Sequence, residues 1–307
     1  MKRVKQVINY WCDDTRTGKY LGQDIAVAVL DTGIVLHPDF EKRILTFQDY
    51  VNDRKMFYDD SGHGTHVCGI IGGCGRLSRG VYTGIAPACS LISIKVLDQK
   101  GNGKIQNVLK GLRWVLENKD RYNIRVVNIS VGTLPQSGDL EETKLIQAVE
   151  LLWDGGITVV AAAGNYGPES GTVTTPGISK KVITVGASDD DEYYVSAGQR
   201  RNYSGRGPTQ ECVCKPDLVA PGSYITSCSS SYLKKGSKAY TVKSGTSMAT
   251  PIVSGACALL LSKYPDMSNV EVKLRLRESC RDLHLPHNQQ GWGLLDVRAL
   301  LSKSDKA

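Results

Sequence analysis

No stretch of this sequence approaches the ~20 consecutive apolar residues that a membrane-spanning helix needs, although 41% of its 307 residues are hydrophobic. No membrane partner is expected, and the apolar residues are left to build a core. The basic start, Met1-Lys2-Arg3-Val4, lacks the apolar run of a secretory signal. A cytoplasmic location is therefore expected, or an exported one if a leader has been cut away. No internal repeat, low-complexity tract or long Pro/Gly linker divides the chain. One domain over residues 1–307 is expected: a helical lead-in over 1–24, a core over 25–302 and a tail over 303–307.

Other absences narrow the chemistry. The net charge is +7, but the basic residues are scattered, so no nucleic-acid partner is expected. Cys212-Val213-Cys214 lacks the second pair of a zinc site. His63 and His66 are three apart, without a His-Glu-x-x-His pattern or an obvious third ligand, so no metal ligands are assigned. Gly103-Lys104-Ile105 has isoleucine where a phosphate loop needs Ser or Thr. The acidic run Asp189-Asp190-Asp191-Glu192 reads as a solvated loop. Nine cysteines, an odd number, favour free thiols and a reducing compartment; Cys68 and Cys257 lie in small-residue helices and read as buried.

What is present alternates between strand and helix. Val4, Val7, Ile8 and Trp11 fall at helical spacing. Ile25 to Leu30 is almost wholly apolar, like a strand buried on both faces of a parallel sheet. Further strands are expected over 91–97, 125–131, 158–163 and 182–185, with helices over 63–72, 105–116, 145–152, 247–263 and 268–279. Residues 31–60 read as a polar connection. The fold class is then α/β: a doubly wound, mostly parallel sheet with helices on both faces, its site beyond the carboxyl ends of the strands.

Three stretches carry chemistry. Ser244-Gly245-Thr246-Ser247-Met248-Ala249-Thr250-Pro251 reads as a tight turn opening a small-residue helix. Thr246 or Ser247 can cap it, and a hydroxyl there sits among unpaired donors. Val27-Ala28-Val29-Leu30-Asp31 is an apolar strand ending in a carboxylate, and Gly62-His63-Gly64-Thr65-His66 starts a helix with a histidine. A serine hydroxyl needs a neighbouring base, and the base needs a group to fix its tautomer. His63 as base, Asp31 as its orienting carboxylate and Ser247 as nucleophile would supply both. Asn165 in Ala163-Gly164-Asn165 ends a strand with an amide donor that could stabilise an oxyanion.

The three motifs, in the chain order Asp, His, Ser, closely resemble the subtilisin-like serine proteases, or subtilases, from about Gly22 to Leu300. The pattern around His63 and Gly72-Gly73 looks most like intracellular AprX-type bacterial subtilases. The resemblance implies a serine endopeptidase acting through an acyl-enzyme, with a peptide or protein as substrate and partner. Catalytic roles fall on Asp31, His63, Ser247 and Asn165. It also implies that Ser130-Val131-Gly132 and Ala162-Ala163-Gly164 form the walls of the first specificity pocket. Gly101-Asn102-Gly103 would pair with an extended substrate. Thr174 stands where many subtilisins have glycine at the pocket base, which suits medium apolar P1 residues. Asp60 is expected to favour a basic P2 residue, and His66 to pack structurally. No cofactor is required for the chemistry. A structural calcium is left unassigned, because Asp39 resembles one ligand while residues 74–83 lack the usual calcium loop. The stretch before Asp31 is too short for a separate folded inhibitor, so no large pro-domain is expected. Ester hydrolysis, or binding without turnover, are the competing activities for such a chain; the intact Asp, His and Ser argue against the second.

Overall fold

The computed structural model describes residues 1–135, 140–190, 202–232 and 234–302. The expected tail over 303–307, together with Asp191 and Glu192 of the acidic run, lies outside them. The chain runs α1 (Lys2–Val7), α2 (Asp13–Arg16), β1 (Ala26–Asp31), β2 (Ile44–Asp49), α3 (His63–Gly72), β3 (Ser90–Lys95), α4 (Ile105–Tyr122), β4 (Ile124–Ile129), α5 (Leu140–Asp154) and β5 (Thr158–Ala162). It continues with β6 (Ile183–Ala187), β7 (Leu218–Ala220), β8 (Ile225–Cys228), β9 (Tyr240–Lys243), α6 (Thr246–Lys263), α7 (Asn269–Ser279), α8 (His287–Gln290) and α9 (Val297–Leu301).

Seven strands form one parallel sheet in the order β2-β3-β1-β4-β5-β6-β7. This is the doubly wound α/β fold. Every residue of β1, β5 and β6 is buried, as strands covered on both faces require. Helices α3 and α6 pack together against the sheet, and α4 and α5 form a second pair against β1, β4 and β5. Helix α6 runs through the core with all but three of its residues buried. Its small residues permit this: a Cβ on Gly255 would stand 2.6 Å from Ile85 Cβ. Among the described residues no helix is long and apolar enough to cross a membrane.

Several local expectations differ. The 31–60 connection holds β2, whose polar positions and edge place hid it. A separate antiparallel hairpin, β8–β9, precedes the serine motif. Helix α1 ends at Val7, so Trp11 is exposed, while Ile8 and Tyr10 turn inward. The lead-in is fastened to the core by Val297 N–H donating to Ile8 O (2.8 Å) and by Arg3 bonding Asp189 (2.8 Å).

Candidate active site

Asp31 is the last residue of β1, and His63 the first of α3. They meet because glycines let the backbones approach: a Cβ on Gly64 would collide with the Gly33 carbonyl. Asp59 then fixes the turn before His63. Its Oδ1 accepts from Thr32 Oγ1 (2.8 Å) and Gly62 N–H (2.7 Å), and its Oδ2 from Thr65 N–H (2.8 Å) and Thr65 Oγ1 (2.6 Å). Gly62 has φ of +81°, which suits a residue without Cβ.

His63 Nδ1 donates to Asp31 Oδ1 at 2.7 Å and Oδ2 at 2.9 Å. Asp31 is 1% exposed, whereas the His63 side chain is 24% exposed and lines a cleft of about 370 Å³. Desolvation works to lower the His63 pKa, but the charge and hydrogen bond of Asp31 outweigh it, and the net shift is upward. Lys243, in the same cleft, opposes that rise. With Nδ1 held, Nε2 is the nitrogen left for proton transfer.

Ser247 is the second residue of α6 and faces the same cleft. Its hydroxyl donates to Ser130 O (2.8 Å). The cap differs from expectation. Neither Thr246 nor Ser247 caps α6; instead Asn165 Oδ1 accepts from Thr246 N–H (2.9 Å) and Thr246 Oγ1 (3.1 Å). This commits Oδ1 and leaves Nδ2 as the donor atom of a side chain that lines the cleft, as does Ser247, whose N–H in the first turn has no intrahelical acceptor. Gly245, φ +143°, makes the turn, and a Cβ there would sit 3.3 Å from Asn165 Nδ2. Pro251 lies just after the first turn of α6.

Gly101, Ser130, Val131, Gly132, Ala162 and Gly164 also line the cleft. Ala163 does not, being fully buried with its N–H on Val185 O. Thr174 is buried between the two walls, its Oγ1 2.8 Å from where a Gly164 Cβ would stand. Asn102 and Gly103 lie beside the cleft in a turn pinned by Asp98, whose Oδ1 accepts from Lys100 N–H (2.8 Å) and Asn102 N–H (2.9 Å). Those backbone bonds lower the Asp98 pKa. Asp60 is already engaged by Lys95 Nζ (2.7 Å), so it does not stand free for a substrate.

Sequence reasoning missed the supports. Asp59 and Asp98 carry no motif signal beyond a small polar residue before a turn. Asn128 links the pocket wall to the serine helix, donating to Ser130 Oγ (2.8 Å) and accepting from Ser254 Oγ (2.9 Å). A larger hollow of about 550 Å³ near α5 holds Glu142, Glu150 and Lys180 but no imidazole to activate a nucleophile.

The sequence pattern of the Subtilase family (peptidase S8) matches residues 22–293. The chain is 44% identical over 276 residues to Serine protease AprX of Bacillus subtilis (strain 168), covering 85% of this chain and 62% of that protein. It is 36% identical over 291 residues to Subtilisin DY of Bacillus licheniformis, covering 94% of each. A solved structure described as a cold adapted subtilisin-like serine proteinase superposes with a TM-score of 0.72 at 28% identity, covering 91% of this chain and 90% of that one. Thus the chain spans under two thirds of the AprX protein but nearly the whole of Subtilisin DY. The match across nearly all of the core, together with the shared fold, makes this chain a member of the subtilase family.

Proposed function

We propose that this chain is a serine endopeptidase that cleaves peptide bonds through an acyl-enzyme on Ser247. The observation that carries the reading is the Asp31–His63 pair sharing one cleft with Ser247 and Asn165. The working unit is the core over 25–302, with 1–24 as its packed lead-in. Nine free thiols support a reducing compartment for its work.

An extended substrate adds as a strand against 101–103 and 130–132. Its P1 N–H competes for Ser130 O, which frees the Ser247 hydroxyl to turn toward His63 Nε2. His63 takes the proton as Oγ bonds to the carbonyl carbon, and Asp31 stabilises the imidazolium. The oxyanion receives hydrogen bonds from Asn165 Nδ2 and the Ser247 N–H. The C–N bond then breaks, and His63 returns the proton to the leaving amine. Water, deprotonated by the same imidazole, releases the acid and restores Ser247. Nucleophile, base and oxyanion donors all come from the chain, so these steps call on no cofactor. Thr174, packed between Gly132 and Gly164, is taken as the base of a shallow pocket that suits medium apolar P1 side chains.

A fluorophosphonate should label Ser247 alone, and Ser247→Ala should fold normally while casein hydrolysis falls roughly a million-fold. Label on another residue, or wild-type casein hydrolysis by Ser247→Ala, would refute the assignment. Turnover of a short-chain ester without casein hydrolysis would point to an esterase.

A further inference from the structure

Asp39, the residue that resembles a calcium ligand, stands among donors that do not fit calcium. Calcium takes six to eight oxygens. Beside Asp39 are an imidazole, His37, and a thiol, Cys228, all three buried, with ligand atoms within 4.8 Å of one another. His37 Nδ1 lies 3.9 Å from Asp39 Oδ1, and Cys228 Sγ lies 3.8 Å from Asp39 Oδ2. A tetrahedral ion with bonds of ~2.0 Å to N and O and ~2.3 Å to S holds its ligand atoms roughly 3.3–3.6 Å apart. The cluster therefore needs to contract by about half an ångström along the two contacts to Asp39, and by up to about one ångström across its widest pair, to match the bond lengths of such an ion.

Charge and orientation point the same way. The Asp39 carboxyl is fully buried, and its hydrogen-bond donors are all neutral: Leu77 N–H (3.0 Å), Tyr240 O–H (2.7 Å) and the Cys228 thiol. Arg43 comes close but spends its guanidinium on the Asp39, Gly72 and Cys89 carbonyls. His37 presents its Nδ1 to this carboxyl. Its Nε2–H donates to Ala239 O (2.9 Å), the arrangement that turns the other nitrogen into a metal ligand. Among the described residues Nδ1 is engaged only by Asp39 N–H, at 3.2 Å.

We propose that His37, Asp39 and Cys228 bind a zinc-class divalent cation, its fourth position open to water. On binding, the Cys228 proton passes to solvent, and its S–H contact with Asp39 gives way to two bonds to the metal. The Leu77 N–H and Tyr240 O–H bonds to Asp39 remain as outer supports. The ion would clamp the β8–β9 hairpin to the segment after β1. Cys228 also packs on Gly69 of α3, where a Cβ would meet its Sγ at 2.8 Å, so the clamp bears on the helix that carries His63.

The test reads metal ligation, not proteolysis, so its failure is separable from failure of the catalytic reading. It uses the full chain with Ser247→Ala against self-digestion and Cys212→Ser/Cys214→Ser to remove the exposed thiol pair. Cobalt(II) should bind one per chain, giving a thiolate-to-metal charge-transfer band and tetrahedral ligand-field bands. Zinc should abolish both and raise Tm, while excess calcium should do neither. Cys228→Ser should lose the charge-transfer band. Should that variant fail to fold, X-ray absorption of the zinc-loaded parent reads the ligands directly and must show sulfur with nitrogen or oxygen. Binding below one per chain, a band that survives Cys228→Ser, a shell without sulfur, or displacement by calcium would overturn the proposal.

Discussion

His66 offers a quantitative test of how this interior handles charge. It lies fully buried in α3, three residues after His63. Nε2–H donates to Ile225 O (3.0 Å) and Thr241 O (3.2 Å), while Nδ1 has no partner among the described residues. Burial, then the positive fields of Lys243 and His63, drives its pKa from 6.5 to about 3. In the folded chain the ring therefore stays neutral, whereas the unfolded chain takes up the proton below its ordinary value. The stability it confers is complete above about pH 6.5 and falls as pH drops, by about 1.4 kcal/mol per unit. At pH 5 the loss amounts to about 2 kcal/mol, a sizeable share of the ~5–15 kcal/mol typical of a domain. His63 acts in a different window: its raised pKa gives stability that is complete below the ordinary value and fades as pH rises through the folded one. His37, lowered by burial, adds to the acid loss, so the effect must be read between variants. His66→Gln is the right perturbation, because its amide nitrogen can replace Nε2 with two N–H groups for two carbonyls, and it does not titrate. Urea unfolding in a Ser247→Ala background should show a shallower dependence of stability on pH in the variant, by about 1.4 kcal/mol per unit between about pH 5 and 6.5. Any constant cost of the substitution leaves that slope difference intact. Equal slopes would refute the reasoning.

The active-site supports give further expectations. Asn165→Ala should lower kcat roughly a hundred- to thousand-fold with little change in KM, since its amide acts once charge develops; a change confined to KM would make it a binding residue only. Asp59→Asn removes one of two oxygens shared by the Thr32, Gly62 and Thr65 donors. It should cost about 3 kcal/mol in urea unfolding and slow kcat through misplacement of His63; an unchanged unfolding midpoint would count against that role. Thr174→Gly should deepen the pocket and raise kcat/KM for phenylalanine over valine at P1 roughly tenfold; an unchanged ratio would show that Thr174 does not limit the pocket.

The residues proposed to carry the chemistry were legible because each sits inside a local pattern. Asp31 ends a strand otherwise wholly apolar, His63 opens a helix that ends at Gly72 as expected, and Ser247 lies in the first turn of a helix whose small residues foretell its burial. Helix α7 was equally plain, because Ser268 and Glu271 form a capping box. The hidden elements are short or lie at edges. β7 has three residues, β9 is barely buried, and β2 mixes polar with apolar positions because it has a neighbour on one side only. The cap of α6 was out of reach for another reason. Serine and threonine at a helix start suggest a cap from within, whereas the acceptor comes from Asn165, 81 residues earlier. Propensity describes a helix end alone, and the fold supplied a better partner for it.

Asp60 shows the same limit for specificity. A carboxylate three residues before the proposed general base suggests attraction for a basic P2 side chain. In the structure its Oδ1 is held by Lys95 Nζ, fully buried and also bonded to Thr32 O (2.6 Å) and Leu97 O (2.9 Å). Lys95 thereby joins the turn after Asp31 to the strand end that leads into Gly101. Removing one partner of a buried pair strands the other charge, at about 3–5 kcal/mol; Asp60, with its side chain one-third exposed, would leave Lys95 in that position. The pair thus presents little net charge to the cleft. A basic P2 residue would have to compete with an ammonium that cannot withdraw into water. Preference at P2 should therefore follow the shape between His63 and Leu97, and Asp60 serves the site by holding that shape.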